Sequence, residues 1–202
     1  MQTFKIRCSA IGKLMTNGRG KDAGMGETAK AYLQEWVKEQ IYSVRNEVTT
    51  KPMIKGVACE DEAIGVYALY RDIGFVIKND QHLSDDDLMG TPDVVLADRV
   101  VDTKVSWNCF TFPLFDTEPD KGYWWQLQGY MELTGKRKAE LVYVLIDTPE
   151  DLAYTDLDRV SYADVDLKYR VKVFEIDYDA DAVAQIRARV QEAREYIKTL
   201  GI

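Results

Sequence analysis

Residues 91–106 read Thr91-Pro92-Asp93-Val94-Val95-Leu96-Ala97-Asp98-Arg99-Val100-Val101-Asp102-Thr103-Lys104-Val105-Ser106. Two β-branched runs, Asp93–Ala97 and Val100–Ser106, flank the polar pair Asp98–Arg99, which predicts a β-hairpin. Residues two apart on a strand leave the same face, so Asp102 and Lys104 share one. Cross-strand neighbours sit about 5 Å apart, which lets the Asp93 carboxylate converge on Asp102. Two carboxylates and an ammonium on one face of an otherwise apolar strand pair need a partner, because buried unpaired charge is costly. A hard divalent cation suits the carboxylates, and Mg²⁺ takes one or two of them while keeping several waters. The lysine is then free to orient an attacking water or to stabilise charge developing on a phosphate. These parts together describe phosphodiester hydrolysis. The plain alternative is a surface ion pair at Asp102–Lys104 with Asp93 as a turn residue.

Two further motifs flank this unit. Upstream, Gly56-Val57-Ala58-Cys59-Glu60 places Glu60 on a helix from about Ile54 to Tyr70, where it can complete the site directly or through water. Downstream, Gln126-Leu127-Gln128-Gly129-Tyr130 puts Gln126 and Tyr130 on one face of a helix from Gly122 to Leu133. An amide there can hydrogen-bond a phosphate, and a tyrosine can stack or donate.

The rest of the chain reads as α/β (α+β), a central mixed sheet flanked by helices. Ser9 is positioned to cap a short helix, Ala10 to Thr16. The glycine-rich stretch Asn17–Gly26 lacks P-loop spacing and reads as a mobile connection. Helical periodicity covers Glu27 to Arg45, and Phe75 and Ile77 read as strand. Phe110–Asp120 reads as a loop, Ala139–Ile146 and Val171–Ile176 as strands, and Ala180–Leu200 as a closing helix. Trp107, Phe110, Phe112, Phe115, Trp124 and Trp125 read mostly as core, with one or two as platforms for a frayed nucleic-acid end. His82, the sole histidine, offers no triad or histidine-based metal site. Asp85-Asp86-Asp87 lacks EF-hand spacing and reads as a solvated turn.

The 202 residues, 46% hydrophobic and 30% charged, suit one globular domain, 1–202, and exclude a disordered chain. No apolar run approaches the roughly 20 residues of a membrane span. The start, MQTFKIRCSA, has no secretory character, so a cytoplasmic protein with no membrane partner is expected. Three scattered cysteines give neither a disulfide framework nor a cysteine-bound metal site. The net charge of −8 divides into +5 over residues 1–55 and −13 over residues 56–202. The chain therefore divides into a basic, helical N-terminal portion, 1–55, and a core, 56–202.

In order, Gly56…Glu60, Pro92-Asp93, Asp102-Thr103-Lys104 and Gln126…Tyr130 resemble the PD-(D/E)xK nuclease superfamily. The Q-x-x-x-Y element resembles its YqaJ-like branch, and the KGVACEDEA helix is most similar to phage lambda exonuclease and related phage recombination nucleases. The resemblance covers roughly residues 4–147. It implies a restriction-endonuclease-like core and a Mg²⁺-dependent deoxyribonuclease (Mn²⁺ substituting) acting on double-stranded DNA ends with 5′→3′ polarity. Asp93 and Asp102 would be metal ligands with the Thr103 main-chain carbonyl, Glu60 would sit at the site's edge, Lys104 would be the catalytic lysine, and Gln126 would line the site. Arg7, Ser9 and Lys51 would form a 5′-phosphate pocket, to which the basic portion 1–55 contributes, with Gln128 and Tyr130 as further DNA contacts. It also implies a ring-forming homo-oligomer, commonly a trimer, a single-strand annealing partner, and a phage or prophage origin in a bacterial cell. A structure-specific endonuclease of the same superfamily and a non-catalytic DNA-binding protein keeping the fold are the alternatives. Asp102 stands where many of these nucleases carry glutamate, and the iron–sulfur cysteines of some RecB-like relatives are absent.

Overall fold

A computed structural model describes residues 2–20 and 24–201. The elements are β1 (Ile6–Arg7), α1 (Ile11–Leu14), α2 (Glu27–Tyr42), α3 (Lys51–Ala58), α4 (Glu60–Arg71), β2 (Leu83–Ser84), β3 (Leu88–Gly90), β4 (Val94–Val95), β5 (Arg99–Ser106), α5 (Lys121–Thr134), β6 (Lys138–Leu145), β7 (Val171–Asp177) and α6 (Ala180–Thr199). The main sheet runs β4-β5-β6-β7 and is mixed, as expected: β5 and β6 are parallel, and both outer pairings are antiparallel. A parallel neighbour requires a crossover, and α5 supplies it. The small sheet β1-β3-β2 has no counterpart in the sequence reading.

Both faces of the main sheet are covered, which accounts for the near-continuous apolar runs of β5 and β6. On one face Val100, Leu141, Phe174 and Ile176 pack with α1, α2, α5 and α6. On the other, Val101, Val142, Val144 and Val171 pack with Cys59, Ala63, Ile64 and Tyr67 of α4 and its approach. Alternation along β5 therefore sends Val100, Asp102 and Lys104 toward α5.

Helix α5 can lie close to the N-terminal segment only because glycines meet there. A Cβ on Gly129 would fall 2.6 Å from Ile11 Cδ1, and one on Gly12 would fall 2.8 Å from Gly122 Cα. Asp120 caps α5 by accepting from the Gly122 and Tyr123 amides, and Gly135 ends it at φ 70°.

Several local expectations are corrected. Ser9 caps nothing: it is exposed in a 3-10 turn, Cys8–Ala10, ahead of the one-turn α1. Helix α2 stops at Tyr42, with Ser43 in the left-handed region at φ 53°. The helix expected over 54–70 is two helices hinged at Cys59, because the Lys55 anchor described below fixes the first and an acidic turn, Glu60 to Glu62, starts the second. The hairpin turn is centred on Ala97–Asp98, one residue early, closed by the Leu96 amide donating to the Arg99 carbonyl. Phe75 and Ile77 lie in no strand and are 91% and 75% exposed. The glycine-rich connection is closed at its base, where Gly18 N donates to the Gly24 carbonyl; its residues 21–23 lie outside the described residues. Asp85 and Asp87 are not a solvated turn: they accept from Arg187 of α6 at 2.7 and 3.1 Å and help dock that helix. No helix among the described residues is long and apolar enough to cross a membrane.

Candidate active site

The hairpin register pairs Val94 with Val101 and Val95 with Val100, which sets Asp93 beside Asp102 just beyond the end of β4. Strand β4 is two residues long, so the edge of β5 past Asp102 has no strand partner on that side. Asp93 fills the gap. Its Oδ2 accepts from the Thr103 amide at 2.7 Å and from the Thr103 hydroxyl at 2.8 Å. Its Oδ1 accepts no hydrogen bond among the described residues. The Thr103 carbonyl leaves β5 on the same edge as its amide, on the side of the carboxylates.

Asp102 is 1% exposed. Its Oδ1 accepts from Gln126 Nε2 at 2.9 Å. Its Oδ2 lies 2.5 Å from Lys104 Nζ in an ion pair and has no other donor among the described residues. Lys104 Nζ also sits 4.7 Å from the centre of the Tyr123 ring. Burial, and then the Asp102 charge, push the Asp93 carboxyl up to about 6. Burial pulls the Lys104 ammonium down, but the Asp102 carboxylate outweighs it and the net shift is upward. Burial and then the Asp102 charge also push the Tyr130 phenol up.

Asp93, Thr103 and Lys104 open onto a cleft of about 520 Å³ lined also by Met53, Gly56, Val57 and Glu60 from α3 and α4 and by Tyr123 and Tyr143. Lys55 holds α3 in place. It is fully buried, and its Nζ donates to the carbonyls of Ser106, Trp107 and Ile146 at 2.9, 2.9 and 2.7 Å. That ties α3 to the C-terminal ends of β5 and β6. Burial lowers the Lys55 ammonium's pKa.

No group of three or more His, Cys, Asp or Glu side chains is close enough to hold a metal among the described residues. A cage built wholly from protein is thereby excluded, but not a Mg²⁺ site, which needs only one or two carboxylates. The donor set fits such an ion: Asp93 Oδ1 has no hydrogen-bond donor among the described residues, Asp102 Oδ2 is held only by the Lys104 ammonium, which a divalent cation can replace, and the Thr103 carbonyl lies on the same edge.

The structure thus gathers Asp93, Asp102, Thr103, Lys104 and Gln126, with Glu60 at the rim, where Lys78 Nζ donates to its Oε2 at 2.8 Å. It does not gather the rest. Gln128 is fully buried; its amide donates to the Asp177 carbonyl and accepts from the Asp179 amide, which ties α5 to the β7–α6 corner and leaves nothing for DNA. Tyr130 is 5% exposed with its hydroxyl accepting from Gln126, so it supports the site from inside and offers no DNA contact. Arg7 and Ser9 line a second cavity of about 600 Å³ that shares Met53 with the cleft. Lys51 is not in it; its ammonium lies over the Tyr154 ring. Nor is that cavity simply basic: Arg7, Lys13 and Arg45 face Glu35, Glu39 and Glu47, and Arg7 pairs with Glu39 at 3.9 Å. Of the aromatics, Phe110 and Phe115 are 81% and 89% exposed on the loop after β5, while Phe112 is core.

Sequence reasoning missed Lys55, Lys78 and Tyr123. Only Tyr123 carried a signal, three residues before Gln126 on the same helix face. Lys55 and Lys78 reach the site through tertiary packing that no local spacing reports.

The fold has solved counterparts. A phage-related exonuclease from Haemophilus somnus 129PT superposes with a TM-score of 0.90 at 26% identity, covering 98% of this chain and 96% of that one. The chain has the fold of this phage-related exonuclease. An alkaline exonuclease from Laribacter hongkongensis, LHK-Exo, shares the fold with a TM-score of 0.69 at 17% identity over 98% of this chain and 91% of its own. Its complex with dAMP gives 0.68 at 19% identity over 97% and 91%. No family model matches the sequence, and no curated protein matches it.

Proposed function

We propose that this chain is a PD-(D/E)xK nuclease, a Mg²⁺-dependent exodeoxyribonuclease that hydrolyses double-stranded DNA from its ends in the 5′→3′ direction, for recombination of a phage or prophage. The convergence of Asp93 and Lys104 in one cleft, with Asp102 buried beneath Lys104, carries the reading, and the exonuclease from Haemophilus somnus supports it. When bound, a hard divalent cation supplies Lewis acidity, polarising a phosphoryl oxygen and acidifying water. Asp93, Asp102 and the Thr103 carbonyl would hold it. Thr103 aims Asp93 through two hydrogen bonds, and Gln126 aims Asp102 through one. The Lys104 ammonium, held against Tyr123, stabilises charge developing on the phosphate. Phe110 and Phe115 offer faces on which unpaired bases stack.

The test compares end-labelled linear duplex with a covalently closed circle of the same sequence, each with Mg²⁺ and with EDTA. The expected result is degradation of the linear form alone, with Mg²⁺ alone, releasing nucleotides from the 5′ end. Cutting of the closed circle would assign an endonuclease instead. Intact linear DNA in both Mg²⁺ and Mn²⁺ would leave a non-catalytic DNA-binding protein.

A further inference from the structure

We propose that Lys78 is a built-in counter-ion that holds Glu60 at the rim of the cleft and competes with the divalent cation for it, so that Lys78 sets the metal affinity of the site. This rests on reading the cleft as metal-dependent. Glu60 lines the same cleft as Asp93, Thr103 and Lys104, and Lys78 Nζ donates to its Oε2 at 2.8 Å. It does not form a three-carboxylate cage with the two aspartates, so it would reach the ion through one of the waters that Mg²⁺ keeps. The lysine comes from the segment between α4 and β2, which joins neither sheet. That segment is nevertheless fixed at the site. Asn79, next to Lys78, donates its amide to the Asp93 carbonyl at 2.7 Å and its Nδ2 to the Pro92 carbonyl at 2.9 Å. One dipeptide therefore grips the main chain of a metal-binding aspartate with one residue and a rim carboxylate with the other.

The pair is partly exposed, with side-chain accessibilities of 37% for Lys78 and 24% for Glu60. Ion pairs of that exposure are weak. Lys78 therefore positions Glu60 without locking it, and a doubly charged ion can displace the ammonium. Asp61, 4.0 Å away, and Asp80 also attract Lys78 and give the displaced ammonium somewhere to go. Lys104 occupies Asp102 in the same way, so each of these two carboxylates carries its own cation.

The test is the Mn²⁺ dissociation constant, measured by calorimetry and by the paramagnetic resonance signal of free Mn²⁺, for the wild type, Lys78→Met, Lys78→Arg, Glu60→Gln and the Lys78→Met/Glu60→Gln double variant. Lys78→Met is expected to bind at least threefold more tightly than the wild type, and Lys78→Arg to restore the wild-type value. In the Glu60→Gln background the Lys78→Met gain is expected to vanish, because the two act as one unit. Unchanged or weakened binding by Lys78→Met, or an equal gain without Glu60, overturns the proposal and leaves the nuclease reading standing. A wild type that binds no Mn²⁺ removes both. Circular dichroism of Lys78→Met confirms that the fold is kept.

Discussion

Lys104→Ala is expected to lower kcat on linear duplex DNA by about 10²–10⁴-fold, the usual contribution of a positioned proton-transfer or charge-stabilising group. KM is expected to change much less, because Lys104 is only 23% exposed and its ammonium is committed to Asp102 and the Tyr123 ring, not to an open binding surface. Mn²⁺ affinity is expected to hold or to rise, since removing the ammonium frees Asp102 Oδ2. Steady-state kinetics with a parallel Mn²⁺ titration separates these effects. A variant within threefold of wild-type kcat would show that Lys104 is only a structural counter-ion.

Asp93→Asn is expected to raise the melting temperature of the metal-free protein while abolishing activity. Burial and the neighbouring Asp102 hold the Asp93 carboxyl up at about 6 against 3.8 for a free side chain. A group whose folded pKa is raised favours the fold while protonated and loses that benefit as pH rises through the folded value. The shift of about two units corresponds to about 3 kcal/mol, or roughly 5–10 °C in a domain of this size. The difference between variant and wild type is therefore expected to be near zero at pH 4, to open between pH 4 and 6, and to be complete by pH 7.5. The asparagine oxygen can still accept from Thr103, so the local structure is kept. Saturating Mn²⁺ is expected to reverse the order, because a ligand that binds only the intact site stabilises only the wild type. Calorimetric melting of both proteins over that pH range, in EDTA and in Mn²⁺, checks each limb. A wild type as stable as Asp93→Asn at pH 7.5 in EDTA would contradict the strained acidic pair.

The site was legible where its chemistry lies on one strand pair. Asp102 and Lys104 share a face by the two-residue period of β5, and Asp93 follows from the hairpin. Glu60 and Gln126 were found because their motifs keep fixed spacings on helices. The small sheet was not legible, since β1 and β2 are two residues each and carry no periodicity. Phe75 and Ile77 misled because β-propensity measures fit to a packed surface, and theirs is open to solvent. The supposed DNA contact at Gln128 failed for a related reason: a glutamine's polarity does not tell whether it meets solvent or, as here, two backbone groups at a buried corner. The +5 charge of residues 1–55 counted the cations but not their partners. Arg7 and Arg45 stand against glutamates, and Lys55 is spent inside the protein. Among the described residues the basic portion thus forms no unopposed positive pocket.

The most direct measurement is the anomalous scattering of Mn²⁺ in crystals soaked at neutral pH. The expected result is a peak within coordinating distance of one Asp93 oxygen, one Asp102 oxygen and the Thr103 carbonyl, with the Lys104 ammonium withdrawn from Asp102 Oδ2 but still facing the cleft. A saturated soak with no peak between those two carboxylates, or with its only strong peak at another set of side chains, would contradict the assignment of a hydrolytic metal centre to this hairpin.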